Sequence, residues 1–240
     1  MNKRIRFLAG AACALAVAAP AWADGLTVLP VTIELAPGQT VAALTVINQG
    51  DGATSFQVRG FAWKQADGAD QLQGTNDFVA SPPLGTIAPS SSQIVRVAVR
   101  HAPQGQEASY RILLDQIPPA PAPGNVRIAL RLSIPVFAEP AARVTPHLQW
   151  KLENAGADTF LVAVNDGKRH ETVRDILLTT DDGRAFKVEA NVSPYVLPGA
   201  TRRWHIAGPA RLPAPGATVR LTANADNGAI DQPVTVVAAR

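Results

Sequence analysis

The sequence predicts an all-β protein made of two β-sandwich domains behind a secretion signal. Three observations carry that reading. Apolar residues recur with period two in short runs. Clusters of Gly, Pro, Asn and Asp separate the runs at the spacing of sandwich turns. No segment after the signal sustains the i, i+3, i+4 period of an amphipathic helix, and the Ala-rich stretch Ala138–Ala142 is interrupted by Pro140.

Residues 1–23 read as a signal peptide. Lys3, Arg4 and Arg6 form a positive start, Phe7 to Ala19 is apolar, and Ala21-Trp22-Ala23 is a small-x-small cleavage site, so the mature chain begins at Asp24. The 13 residues from Phe7 to Ala19 fall short of the ~20 a membrane-spanning helix needs. Gly10 stands where a lipoprotein signal carries Leu, so Cys13 is not read as a lipidation site. A soluble, secreted product is expected, with no membrane insertion after cleavage.

The first domain, 24–140, opens with Leu26–Leu29 and Val31–Leu35, which ends at the Ala36-Pro37-Gly38 turn. Val41–Ile47 follows, then the Asn48–Gly52 turn and the alternation Phe56, Val58, Gly60 running into Phe61-Ala62-Trp63. Ile94–Val99, Tyr110–Ile117 and Val126–Val136 complete its strands. The junction lies between Glu139-Pro140 and Thr145-Pro146. The second domain, 141–240, holds strand candidates at Leu148–Leu152, Phe160–Val164, Ile176–Thr179, Phe186–Val188, Arg203–Ile206, Val219–Ala223 and Val234–Val237. Asn165-Asp166-Gly167, Asp181-Asp182-Gly183 and Pro198-Gly199 are its turns.

Removing the signal takes three of the 22 Lys/Arg and none of the 19 Asp/Glu, leaving 19 against 19. A near-neutral mature chain has no electrostatic case for a nucleic-acid partner. The only cysteine, Cys13, leaves with the signal, so core burial alone must hold the fold. There is no Gly-x-Ser-x-Gly, phosphate-cradling glycine loop, His-x-x-x-His or catalytic cysteine. His101, His147, His170 and His205 are scattered over loops and strand ends and read as surface or packing residues. No metal and no cofactor is expected.

The segment that stands out is Asn125–Val136. Val126, Ile128, Leu130, Leu132, Ile134 and Val136 fall on one face, and Arg127, Ala129, Arg131 and Ser133 on the other. A half-buried sandwich strand alternates in this way too. Six large aliphatics in strict period two nevertheless exceed an average strand of ~5–6 residues, which implies a row of apolar knobs able to fill a groove elsewhere.

Ser81-Pro82-Pro83, Ile87-Ala88-Pro89 before Ile94-Val95-Arg96-Val97, Tyr110–Pro119, the alternating strand and Phe137-Ala138-Glu139-Pro140 together resemble the periplasmic chaperones of the chaperone–usher pilus pathway. The resemblance spans the first domain; the second matches in length and strand texture only. It implies two immunoglobulin-like domains in an L shape. It also implies a chaperone, not an enzyme, that completes an unfinished pilus subunit with its own strand and passes it to an outer-membrane usher. Val126, Ile128, Leu130, Leu132 and Ile134 would be the subunit-binding residues.

One departure is plain. Where the best-known branch carries two basic cleft residues that bind the subunit's C-terminal carboxylate, this chain has Pro30 and Pro135. It is therefore similar to the divergent, archaic branch, with Arg111 the candidate carboxylate anchor. Arg96 and Glu107 match family positions that form an internal ion pair. Other readings stay open: a pilus structural component, or a non-catalytic binding module on the same scaffold.

Overall fold

A computed structural model describes residues 25–118, 128–155, 158–189, 193–206 and 213–238. The expected signal peptide and Val126 lie outside the described residues.

Residues 26–138 build two sheets. The first layer takes β1 (Leu26–Leu29), β3 (Val41–Asn48), β8 (Ser92–Val99) and β6 (Phe78–Ser81), in the order β1-β3-β8-β6. The second takes β2 (Ile33–Leu35), β10 (Arg131–Ala138), β9 (Ala108–Ile117), β4 (Thr54–Ala66) and β5 (Ala69–Gly74) in that order, with β7 (Leu84–Ile87) also on β4. Period-two side chains from both layers meet in one core that includes Leu35, Leu44, Val46, Phe56, Val95, Ile112, Leu114 and Val136. The chain changes layers between Leu29 and Ile33, so β2 joins the second sheet only from Ile33 onward.

Residues 148–238 form a second unit of eight strands. They are β11 (Leu148–Ala155), β12 (Asp158–Asn165), β13 (Glu171–Thr179), β14 (Ala185–Lys187), β15 (Tyr195–Val196), β16 (Thr201–His205), β17 (Thr218–Ala225) and β18 (Gly228–Ala238). Strand β18 pairs with β17 up to Thr235 and then with β11 from Val236, so the sheet turns over on itself around a second core with Leu152, Leu161, Leu178, Trp204 and Leu221 at its centre. An asparagine closes a loop in each unit. Asn48 donates to the carbonyls of Gly52, Ile87 and Ala88, and Asn165 to those of Arg169 and Val196. Both are buried, so their amides must be satisfied internally.

The described residues contain no helix. Strands β5, β6, β7 and β15 were not expected from the sequence. β5 is ADQLQG and exposed along its whole length, with no apolar period to read.

Candidate binding strand and interdomain seam

Strand β10 has two unequal edges. Along β9 it is paired from Arg131 opposite Asp115 to Ala138 opposite Ala108. The Gln116 amide extends this contact by donating to the Leu130 carbonyl at 2.9 Å. Along β2 it is paired only over Val136–Ala138, because the chain before Ile33 has left for the other layer. From Arg131 to Pro135 the second edge therefore has no strand beside it among the described residues. An unpaired edge of this kind is a template for another strand.

The apolar face of β10 shows the same division. Val136 is 0% exposed and Ile134 is 4%, while Ile128 is 90% exposed. Leu130 and Leu132 lie between, half-buried against the rim of the first core. Ile134, expected on the subunit-binding row, is packed into its own sandwich: it stands opposite Ile112 of β9 and belongs to the first core. Asp115 holds the lower half of the strand from the β9 side. It bonds Arg131, and Arg59 lies 2.7 Å away. The Arg131 hydrogen bond, followed by that to Arg59, draws the Asp115 carboxyl below its usual range against the opposing effect of burial.

The expected Arg96–Glu107 pair does not form. Val95, Val97 and Val99 point into the core, so pleating sends Arg96 outward to solvent, opposite Ala43 and Ser81. Glu107, at the entry to β9, instead faces the second unit. His170 Nδ1 lies 2.9 and 2.8 Å from its two carboxylate oxygens, and the His170 amide donates to it at 3.2 Å. Arg169 adds contacts to Glu34 at 2.8 Å and Glu139 at 3.3 Å, with Glu107 at 3.7 Å. The His170 ring stacks on Phe137 with centroids 3.5 Å apart.

Phe137 belongs to a third apolar cluster, with Trp63, Leu197, Ala200 and Tyr195, which joins the two units. Beside it Gln65 acts as a backbone mimic: its Nε2 donates to the Tyr195 carbonyl at 2.9 Å and its Oε1 accepts from the Leu197 amide at 3.0 Å. Arg202, nearly buried, bonds Asp70 at 3.0 Å and the Gly68 carbonyl at 3.3 Å.

Arg111 lies in this seam, next to Pro135 on the paired edge of β10. Its guanidinium carbon lies over the Trp63 ring, 3.7 Å from the centroid, and its side chain is 11% exposed. Ser133 Oγ accepts from it at 3.4 Å, and the Asp70 carboxylate is 4.0 Å away, beyond a direct hydrogen bond. Burial lowers its pKa from the ordinary value, with Asp70 pulling the other way. The result is a held, under-compensated cation.

The residues missed in the sequence are Trp63, Gln65, Asp70, Arg169, His170, Tyr195 and Arg202. Their partners are distant in the chain; Gln65 and Tyr195 are 130 positions apart. One local signal existed: Val136-Phe137 breaks the alternation, marking a strand buried on both faces. Among the described residues no group of three or more His, Cys, Asp or Glu side chains is placed to hold a metal ion, and no helix is long and apolar enough to cross a membrane.

Comparison with known proteins gives a consistent answer. Residues 25–143 match the N-terminal domain of the PapD pili and flagellar-assembly chaperones. No curated protein sequence matches the chain. Among solved structures, a chain of the chaperone–tip adhesion subunit pre-assembly complex from archaic chaperone–usher Csu pili of Acinetobacter baumannii superposes with a TM-score of 0.64 at 20% identity, covering 90% of this chain and 100% of that one. The periplasmic chaperone SfaE gives 0.58 at 19%, covering 89% and 100%. A chain of the SafA pilin–SafB chaperone complex of Salmonella enterica gives 0.59 at 17%, covering 89% and 96%. At these identities the structural likenesses carry the two-unit immunoglobulin-like fold, and the match over 25–143 carries the family: that part of the chain is an N-terminal domain of the pili and flagellar-assembly chaperones.

Proposed function

We propose that this protein is a periplasmic chaperone, without catalytic activity, that binds and caps pilus subunits by lending them the lower half of β10 and delivers them to an outer-membrane usher. One observation carries the reading: the strand's apolar side chains are buried from Ile134 onward but half-buried to exposed from Leu132 back to Ile128, and among the described residues its second edge has no partner strand before Val136. A subunit missing a strand exposes an apolar groove and unpaired backbone groups, both costly in water. Ile128, Leu130 and Leu132 would fill that groove while the strand's free edge pairs with the subunit, a mode of strand addition of which chaperone–pilin complexes are a standing example. Val126, in the same period-two row, would extend it. Burying Ile128 fully would contribute roughly 1.5–3 kcal/mol.

Arg111 would fix the register by binding the subunit's C-terminal carboxylate, since apolar alternation alone tolerates slips of two residues. The archaic branch is the assignment most consistent with Pro30 and Pro135. The complexes named above, of a tip adhesion subunit and of a pilin with their chaperones, support the choice of partner. Residues 1–23 would direct export, and 24–140 and 141–240 would be the two domains.

Co-expression with a strand-deficient pilin, followed by amide hydrogen exchange on the isolated complex, tests this. The reading requires the 128–133 amides to gain protection on binding. Protection elsewhere with none at 128–133 would overturn it.

A further inference from the structure

Away from the Glu107–His170–Arg169 group, the Trp63 end of the seam brings two nearly buried guanidiniums to one carboxylate among the described residues. Arg111 is 11% exposed and Arg202 4%, and both converge on Asp70. The carboxylate is shared unequally. Its Oδ1 accepts from Arg202 at 3.0 Å and from Gln65 at 2.9 Å, while its Oδ2 stands 4.0 Å from Arg111. Two buried donors of the same seam, Arg202 Nε and Trp63 Nε1, have no hydrogen-bond partner among the described residues. Two cations against one anion leave the site one negative charge short of neutrality, in surroundings where an uncompensated charge is costly.

Arg111 is held by contacts other than Asp70: the Trp63 ring beneath it and the Ser133 hydroxyl beside it. What Asp70 contributes is charge, and its effect on an arriving carboxylate is repulsive. We propose, resting on the assignment of Arg111 as the carboxylate anchor, that Asp70 is a resident counter-ion that weakens this anchor. It partly neutralises the free seam and leaves a charge balance that one further monovalent carboxylate would complete, held less tightly than two unopposed arginines would hold it. A carrier that must release its cargo gains from an anchor set below its maximum strength, because release is governed by the off-rate.

The test is a titration of the full mature protein with acetate, following the Trp63 indole and Arg111 guanidinium proton resonances, with acetamide as the uncharged control. Wild type is expected to saturate with acetate and ignore acetamide. Asp70→Asn is expected to bind acetate about three- to tenfold more tightly, the effect of removing one like charge a few ångströms away at intermediate dielectric. If Asp70→Asn lowers the melting temperature, Asp70→Asn/Arg202→Met, which removes the seam pair as a unit, carries the same readout against Arg202→Met. Asp70→Asn binding that is unchanged or weaker, while Arg111→Ala abolishes the response, overturns the role of Asp70 and leaves the anchor standing. A response absent in wild type, or undiminished in Arg111→Ala, removes the anchor and this inference with it.

Discussion

From Ile134 to Ala138, strand β10 is buried: β9 lies along one side, β2 joins on the other from Val136, and Phe137 reaches across to His170 of the second unit. From Leu130 to Ser133 the same chain is paired, among the described residues, with β9 alone, and the apolar side chains run from half-buried at Leu132 to 90% exposed at Ile128. The period-two apolar row runs unbroken from Ile128 through Val136, across the boundary between the halves. What changes is the company: β2 arrives only at Ile33, so the sandwich closes over one half and leaves the other open. An apolar row can therefore serve the protein's own core at one end and a partner's at the other, with the boundary set by a neighbouring strand.

Truncations along the strand would break this comparison if the boundary lies elsewhere. Phe137→Ala removes a ring packed on Trp63, Tyr195 and His170 and is expected to cost about 3–5 kcal/mol by chemical denaturation. Ile134→Ala, a buried truncation, is expected to cost about 2–4 kcal/mol. Leu132→Ala, half-buried at the rim, should cost about 1 kcal/mol. A flat profile, or one that rises toward residue 128, would contradict the division.

Glu107 and Arg96 sharpen the contrast between inward and outward positions. Glu107→Gln is expected to destabilise by about 1–3 kcal/mol, because a buried hydrogen-bonded carboxylate is lost beside His170. Arg96→Ala should change the unfolding free energy by less than about 0.5 kcal/mol, as a solvated side chain does. A larger loss for Arg96→Ala would restore the ion pair expected from the family resemblance.

Much of this was legible in the sequence. Most strands of both cores follow from period-two apolar runs and turn residues, though β6, β7 and β15, which add Phe78, Ile87 and Val196 to those cores, do not; the outward position of Arg96 was implicit between Val95 and Val97. The apolar row at 126–136 was visible too, but its boundary was not, because core strands and lent strands need the same alternation. The seam was illegible for a different reason. Glu107 with His170, Gln65 with Tyr195 and Asp70 with Arg202 are polar pairs separated by 63, 130 and 132 positions, and nothing periodic links them.

The most direct test of the central claim is a single substitution at the exposed end of the row. Ile128→Asp introduces a charge where the free protein has a solvent-exposed side chain, so its melting temperature should match wild type within about 1–2 °C. Its capture of a strand-deficient pilin, read as protection from proteolysis, should fall to background, because the charge would enter an apolar groove. Wild-type protection by a normally folded Ile128→Asp protein would contradict the account.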